Sequence, residues 1–519
     1  MREVLSKAAM AQDWHLIGLV LNSQSCLTGL YEPDHFFGHR MSPRAIAAAR
    51  VAALIGDFDR EPAYKGLAEG LRVLITDGRI QVGVRLPSER ELTDALGVSR
   101  TTVTRAYAEL RDIGFLVSRQ GSGSVASLPA SRAHRGDHLI FPGDARDDEI
   151  DLTCAAPASS PGILAAYERA VGELPAYLSG IGYYPSGLPV LREAVADQLT
   201  ARGLATSPDQ VMIVPGALAG VAVAARALSG RGTRTLIESP TYPNAIATFR
   251  ETGARLLCSP IAREQADVVD LLATTDQVRP ALAYLIPDFH NPTGHLMGDS
   301  AREQVAARLR KHGTTAIVDE SMIDVALDGQ VMPRPLGSFL ADSITVGSVS
   351  KAYWGGLRVG WLRAPAERMD AMVRSRLSLD LGVPVLEQLV TADLLRNGQA
   401  LLDQRRAFLR ENRDAALGAL AEHLPTWKVR VPSGGLSLWC ELPTAASSDL
   451  APRAADHGVL LATGPTFAPE GGLDRFLRLP YTQPANVLED AITRLGEAWR
   501  STLAEDPSAR GHDKPTMVA

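Results

Sequence analysis

Apolar positions between residues 60 and 127 fall into three short helical registers. Leu67, Leu71, Leu74 and Ile75 recur at i, i+4, i+7 and i+8, which predicts an amphipathic helix ending by Gly78. The run Leu86-Pro87-Ser88-Glu89-Arg90-Glu91-Leu92 follows. Ser88 and Glu91 have capping-box spacing, so a second helix is expected to start there and to run from Ser88 to Leu96, stopped by Gly97. Ser99 caps a third, whose apolar stripe is Val103, Ala106, Tyr107 and Leu110 and whose polar face offers Arg100, Thr101, Thr104 and Arg105. Two helices across a tight glycine turn predict a helix-turn-helix. Phe115 to Arg119, the Gln120-Gly121-Ser122-Gly123 turn and Ser124-Val125 then predict a two-stranded wing.

The pattern changes downstream. From about Asp151 to Ala504, short apolar runs alternate with longer helical periodicities, which predicts α/β architecture. Residues 128–150, with Pro129, Ser131, Gly136, Pro142 and Gly143, are expected to link the two parts, and residues 505–519 to form a polar tail. Residues 1–59 are taken as an N-terminal extension. Its first 40 residues show no clean periodicity and Met41 opens an alanine-rich helical stretch, so a start upstream and a start at Met41 both stay open.

Composition narrows the class. A 519-residue chain is too long for one core, and 45% hydrophobic with 22% charged residues suits a folded soluble protein. The four cysteines (Cys26, Cys154, Cys258 and Cys440) contain no C-x-x-C pair, which argues against a zinc site or disulfide scaffold and for a reducing, cytoplasmic compartment. The best membrane candidate, residues 211–228, is broken by Pro215, Gly216, Gly220 and Arg226. Net charge is −6, yet residues 60–135 hold 12 Lys and Arg against 8 Asp and Glu, leaving −10 on the rest. A mildly basic module on an acidic body is compatible with phosphate binding.

A recognition helix puts its first turn against base edges, where Arg can grip guanine with two hydrogen bonds, while hydroxyls and free helix amides suit phosphates. A helical hairpin alone is more often only core. The combination Leu86-Pro-Ser-Glu-Arg-Glu-Leu, Leu96-Gly-Val-Ser-Arg-Thr-Thr-Val, Leu110, Gly114 and the Gly-Ser-Gly wing, however, resembles the GntR family of winged-helix repressors across the whole module. The resemblance implies double-stranded operator DNA as partner and places Arg90, Ser99, Arg100, Thr101, Thr102, Thr104 and Gly121 where the family touches it; some relatives carry Arg at the Thr104 position.

Five features of the body converge on pyridoxal phosphate. Lys351, one of only six lysines, ends the run Gly347-Ser348-Val349-Ser350-Lys351 and could condense with the cofactor aldehyde. Ser348, Ser350 and Arg358 could hold its phosphate. Asp319 closes the apolar run Ala316-Ile-Val and could pair with the pyridine nitrogen. Asn291, in His290-Asn-Pro-Thr-Gly294, could face the phenolic oxygen. Gly216, Ala217 and Leu218 lead from a strand into a helix and offer free amides, and Tyr242 could stack on the ring. Singly, each has a commoner structural explanation, such as an ion pair, a strand-end cap or a plain turn.

Their order and spacing resemble fold-type-I aminotransferases over roughly residues 150–500, which implies a mostly parallel sheet with large and small subdomains. Joined to a GntR module, the chain resembles a MocR/GabR-type regulator. That resemblance implies a homodimer, possible head-to-tail pairing, Tyr183 reaching the phosphate in the partner subunit, and Arg478 gripping a carboxylate of a small amine or amino-acid effector. Two positions depart from the family. Glu320-Ser321-Met322 lacks the tyrosine that usually follows the aspartate, leaving Ser321 as a stand-in, and Ala217 replaces a common Ser or Thr. Both shift the expectation from catalyst toward sensor, while an active aminotransferase carrying a DNA-binding module remains the alternative.

Overall fold

The computed structural model describes residues 45–76, 79–80, 82–119, 123–129, 149–261 and 268–504. Gly121, most of the expected linker and the 505–519 tail lie outside them.

The head is built from helices α1 (Ala48–Ile55), α2 (Ala63–Thr76), α3 (Glu89–Leu96) and α4 (Arg100–Asp112) and the antiparallel strands β1 (Leu116–Arg119) and β2 (Gly123–Ala126). Ser88 closes the capping box as its spacing predicts: its hydroxyl accepts from the Glu91 amide, and the Glu91 carboxylate accepts from the Ser88 amide at 2.8 Å. Gly97 takes the left-handed conformation (φ 62°) that ends α3 and turns the chain into α4, and Ser99 caps α4 by accepting from the Thr102 amide. Leu67, Leu71, Leu92, Val103, Tyr107 and Leu110 form the core, with the Tyr107 hydroxyl donating to the Pro87 carbonyl. Val51 joins this core, with Ile46, Leu54 and Ile55 packed against it. Part of the stretch taken as an extension therefore belongs to the head, because α1 has an apolar face of its own to bury.

The body has two sheets. The large one comprises β4 (Val211–Val214), β5 (Arg234–Ser239), β6 (Arg255–Pro260), β7 (Leu282–Leu285), β8 (Thr315–Asp319), β9 (Ser343–Ser348) and β10 (Gly360–Arg363), in the order β4-β10-β9-β8-β7-β5-β6. Only β10 runs antiparallel to its neighbours. The strands β7, β8 and β9 are buried along their whole length, as a sheet covered by helices on both faces requires. The small sheet joins β3 (Ile150–Leu152) to β11 (Lys428–Val429), β12 (Ser437–Glu441), β13 (Val459–Thr463) and β14 (Phe476–Pro480), with β3 parallel to β13. Strand β7 stops at Leu285, where the Ile286 amide donates to the buried Glu238 carboxylate instead of a strand.

Several contacts join head and body. Arg50 pairs with Asp270 at 2.6 Å, the Gln277 amide donates to the Ala45 carbonyl, and the Leu473 amide donates to the Thr76 carbonyl at the end of α2 (2.5 Å). Leu473 closes the segment 464–473 between β13 and β14, whose Gly472 lies against the Ile75 and Thr76 carbonyls.

Candidate functional site

A cavity of about 790 Å³ opens where the carboxyl ends of the large-sheet strands meet the small sheet, the usual place for a ligand in such sheets. Strand β4 leads through Gly216 into the helix Ala217–Leu228, so the first amides of that helix face the cavity. Gly216 has φ 89°, and a Cβ there would sit 3.1 Å from Arg358 Nη2, so the glycine both makes the turn and lets the guanidinium close over it. Arg358 donates to the Pro215 carbonyl at 2.7 Å. Ser348 donates to the Ser350 hydroxyl at 2.7 Å and accepts from the Ser350 amide at 3.0 Å. Amides, two hydroxyls and a guanidinium thus line one end of the cavity, an arrangement suited to a phosphate.

At the other end stands Lys351, whose Nζ donates to the Ala155 carbonyl at 2.9 Å. Burial holds its amine below the usual lysine range, with the charges of Arg478 and Arg358 pushing the same way. Asp319 ends β8 and is buried. Its Oδ1 accepts from the Ser321 amide (2.9 Å) and hydroxyl (2.5 Å), and its Oδ2 accepts from the Tyr284 hydroxyl at 2.8 Å. Ser321, which also lines the cavity, therefore spends its hydroxyl proton on Asp319. Asn291 accepts from Arg478 Nη1 at 3.3 Å, which leaves its amide hydrogens available, and Tyr242, whose hydroxyl accepts from Asn244 at 3.0 Å, forms another wall.

Arg478 projects from β14 and is almost wholly buried. It donates to Asn291 and to the Thr153 carbonyl, lies 4.8 Å over the Phe467 ring, and keeps its Nε without a partner. Burial pushes its pKa down to about 10.

Twelve of the residues singled out in the body thus line one cavity: Gly216, Ala217, Leu218, Tyr242, Asn291, Asp319, Ser321, Ser348, Ser350, Lys351, Arg358 and Arg478. Tyr183 does not; its side chain is 62% exposed on the outside of the chain. The sequence reading missed Tyr284 and the Thr153–Ala155 segment. A hydroxyl in the fully apolar run Leu282 to Ile286 was the available signal, since a buried Tyr needs an acceptor. Thr153–Ala155 carries no motif.

On the head, Arg90, Ser99, Arg100, Thr101 and Thr104 are exposed and Thr102 is half-buried. Arg100 is 78% exposed and 3.9 Å from Glu89, while Thr104 donates to the same carboxylate at 2.7 Å. Ser99 meets the Thr102 hydroxyl at 2.8 Å. The first turn of α4 therefore presents Arg100 and Thr101 to solvent, and Thr104 is held by the head itself.

The sequence model for aminotransferase class I and II matches residues 180–495. The chain belongs to that family. The model for bacterial regulatory proteins of the gntR family matches residues 63–125, so this aminotransferase-family chain carries a GntR-type head. It is 27% identical over 466 residues to the HTH-type transcriptional regulator YdfD of Bacillus subtilis, covering 84% of this chain and 96% of that one. It is 27% identical to the probable rhizopine catabolism regulatory protein MocR of Rhizobium meliloti, covering 78% of this chain and 86% of that one. Among solved structures it resembles LysN, an α-aminoadipate aminotransferase of Thermus thermophilus complexed with N-(5'-phosphopyridoxyl)-L-leucine. The TM-score is 0.65 and the identity 27%, over 72% of this chain and 97% of that one. The combination is that of a MocR/GabR-type protein.

The fold of the aminotransferase family implies pyridoxal phosphate, and the residues of the cavity fit it. A lysine amine whose pKa burial lowers, a buried carboxylate beside it, an amide with free hydrogens and an anion cup are the donor set that this cofactor requires.

Proposed function

We propose that this chain is a cytoplasmic, homodimeric transcription regulator. Its head binds double-stranded operator DNA, and its body, holding pyridoxal phosphate, senses a small amine or amino acid. The observation that carries the reading is the meeting of Lys351, Asp319, Arg358 and Arg478 in one cavity of a chain whose head exposes Arg100 and Thr101.

Bound there, the cofactor supplies an aldehyde that captures amines and a ring that withdraws electrons. The chain's own residues do the rest. Arg358, the Ser348 and Ser350 hydroxyls and the amides of Ala217 and Leu218 hold the phosphate. Lys351, its pKa lowered by burial, offers its amine. Asp319, fixed by three donors, presents its carboxylate to the pyridine nitrogen. Arg478, with an unpaired Nε, offers the carboxylate subsite. With the Ser321 proton given to Asp319 and no tyrosine at that position, the site is suited to binding more than to turnover.

A dimer is supported by an exposed apolar belt. Leu164, Leu178, Ile181 and Tyr183 are 62–86% exposed, and Leu379 and Leu381 are about half exposed. Gly382 packs against the Tyr184 backbone, so the two stretches are neighbours. Such a patch marks a protein interface, and Tyr183 within it is proposed to reach the phosphate end of the partner's cavity. No described helix is long and apolar enough to cross a membrane.

The test is Lys351→Ala. Operator binding by the holoprotein is expected to respond to an amine ligand, and the variant to lose that response while still binding DNA. An unchanged response in the variant would refute sensing through Lys351.

A further inference from the structure

A second cavity, of about 310 Å³, lies at the junction of head and body. Arg79, just beyond α2, is its contribution from the head. Lys428, Arg430 and Trp439 come from the small sheet and its edge, and His295 from the turn that also carries Asn291.

The cavity is cationic. Arg79, Lys428 and Arg430 line it against a single acid, Glu441. His295 adds no negative charge: burial, then the fields of His290 and Arg430, hold its pKa down to about 4, so it is neutral near pH 7. Arg430 is half-buried, and burial lowers its pKa with no carboxylate to offset the effect. Among the described residues neither the Arg430 nor the Lys428 side chain has a hydrogen-bond or ion-pair partner. A guanidinium partly withdrawn from water and left unpaired is unusual in a folded protein, and its natural complement is a planar or tetrahedral oxyanion. The volume is at the lower end of the range for small-molecule sites.

The cavity is separate from the main one but shares a wall with it. Trp439 lies flat on Phe476 (planes 2° apart) and meets Phe467 edge-on at 5.6 Å. Phe467 in turn carries Arg478 on its ring. Leu473, also in the junction lining, holds the Thr76 carbonyl at the end of α2.

We propose that the junction cavity is a second ligand site, taking a small metabolite that bears a phosphate or carboxylate group, and that its occupancy fastens the head to the body. An anion between Arg79 on the head and Arg430 and Lys428 on the body attracts both sides. This requires only that head and body meet, and it is independent of what the main cavity binds.

The test uses the full-length holoprotein, so that the main cavity is filled, at constant ionic strength. Inorganic phosphate and, separately, succinate are titrated while tryptophan fluorescence is followed, with sodium chloride as the control. A saturable change is expected with one of the two probes, absent in Trp439→Phe, with no shift of the cofactor absorbance band. Saturation by phosphate alone assigns the phosphate class, and saturation by succinate alone the carboxylate class. The midpoint is expected to rise at least 10-fold in Arg430→Gln and in Lys428→Ala, the latter at an exposed position where folding is not at stake. Deuterium uptake by residues 63–76 is expected to fall at saturation. No change beyond the chloride control, or an unchanged midpoint in Lys428→Ala, overturns the site. Saturable binding with unchanged uptake overturns the fastening.

Discussion

Replacing Arg478 by Met separates a ligand-gripping arginine from a structural one. Burial moves its pKa from the usual 12.5 to about 10, which corresponds to roughly 3 kcal/mol acting against the charged form. The sign follows from the direction. A cation whose folded pKa is depressed costs stability at every pH below that value, so the cost is fully present at pH 7–8. Two hydrogen bonds, to Asn291 and the Thr153 carbonyl, offset part of it, at about 1 kcal/mol each. Met removes both the cost and the bonds, and the acceptors left behind face a cavity that water can enter. The ligand-free variant is therefore expected to keep its stability to within about 1 kcal/mol. The effector is a different matter. A carboxylate on this guanidinium forms a charge-assisted contact worth roughly 1.5–3 kcal/mol, about 10- to 100-fold in affinity. Titrating wild type and variant with an amino acid and with its decarboxylated amine, by the cofactor's absorbance, isolates that contact. The variant is expected to lose affinity for the amino acid and keep it for the amine. Equal loss for both ligands, or a ligand-free protein that unfolds several degrees earlier, would refute the reasoning.

Three further outcomes are expected. Arg100→Ala is expected to weaken operator binding by about 1–3 kcal/mol and random DNA much less; equal loss on both, measured by fluorescence anisotropy, would make Arg100 a phosphate contact. Reconstitution of the cofactor-free protein with pyridoxal phosphate is expected to approach its plateau rate at a lower pH than the ordinary lysine pKa of 10.5 would give, since only neutral amine attacks and burial lowers the pKa of Lys351. A rate still climbing through pH 10.5 would contradict that environment. Ser88→Ala removes one half of the capping box and is expected to cost the head about 1 kcal/mol in denaturant unfolding; an unchanged midpoint would show that packing alone sets the start of α3.

What the chain reveals before it folds depends on how far apart the cooperating residues lie. Ser88 with Glu91 and the Gly97 turn are settled within a few residues, and the head's elements follow the reading closely. Lys351, Asp319, Asn291 and Gly216 each follow an apolar run and carry a local turn or loop signal, so each could be marked as a strand-end residue. Tyr284 could not be tied to Asp319, because that bond joins neighbouring strands 35 residues apart. The Arg478 bond to Thr153 spans 325 residues and depends on β3 joining the small sheet beside β13. Ser321 was legible as a missing tyrosine, but its commitment to Asp319 is a matter of side-chain direction. Tyr183 stands outside the cavity of its own chain and is largely exposed.

The segment 464–473 links two requirements that could have evolved apart. Its first residues, with Phe467, shape the space in which an effector must fit, and its last, Gly472 and Leu473, rest on the end of α2. A change of effector made by altering this segment therefore alters the footing of the DNA-binding head as well. Retuning ligand preference without disturbing gene control should be easier from the Thr153–Ala155 side of the cavity, and exchanging the segment between relatives should transfer ligand choice and DNA response as one inherited unit.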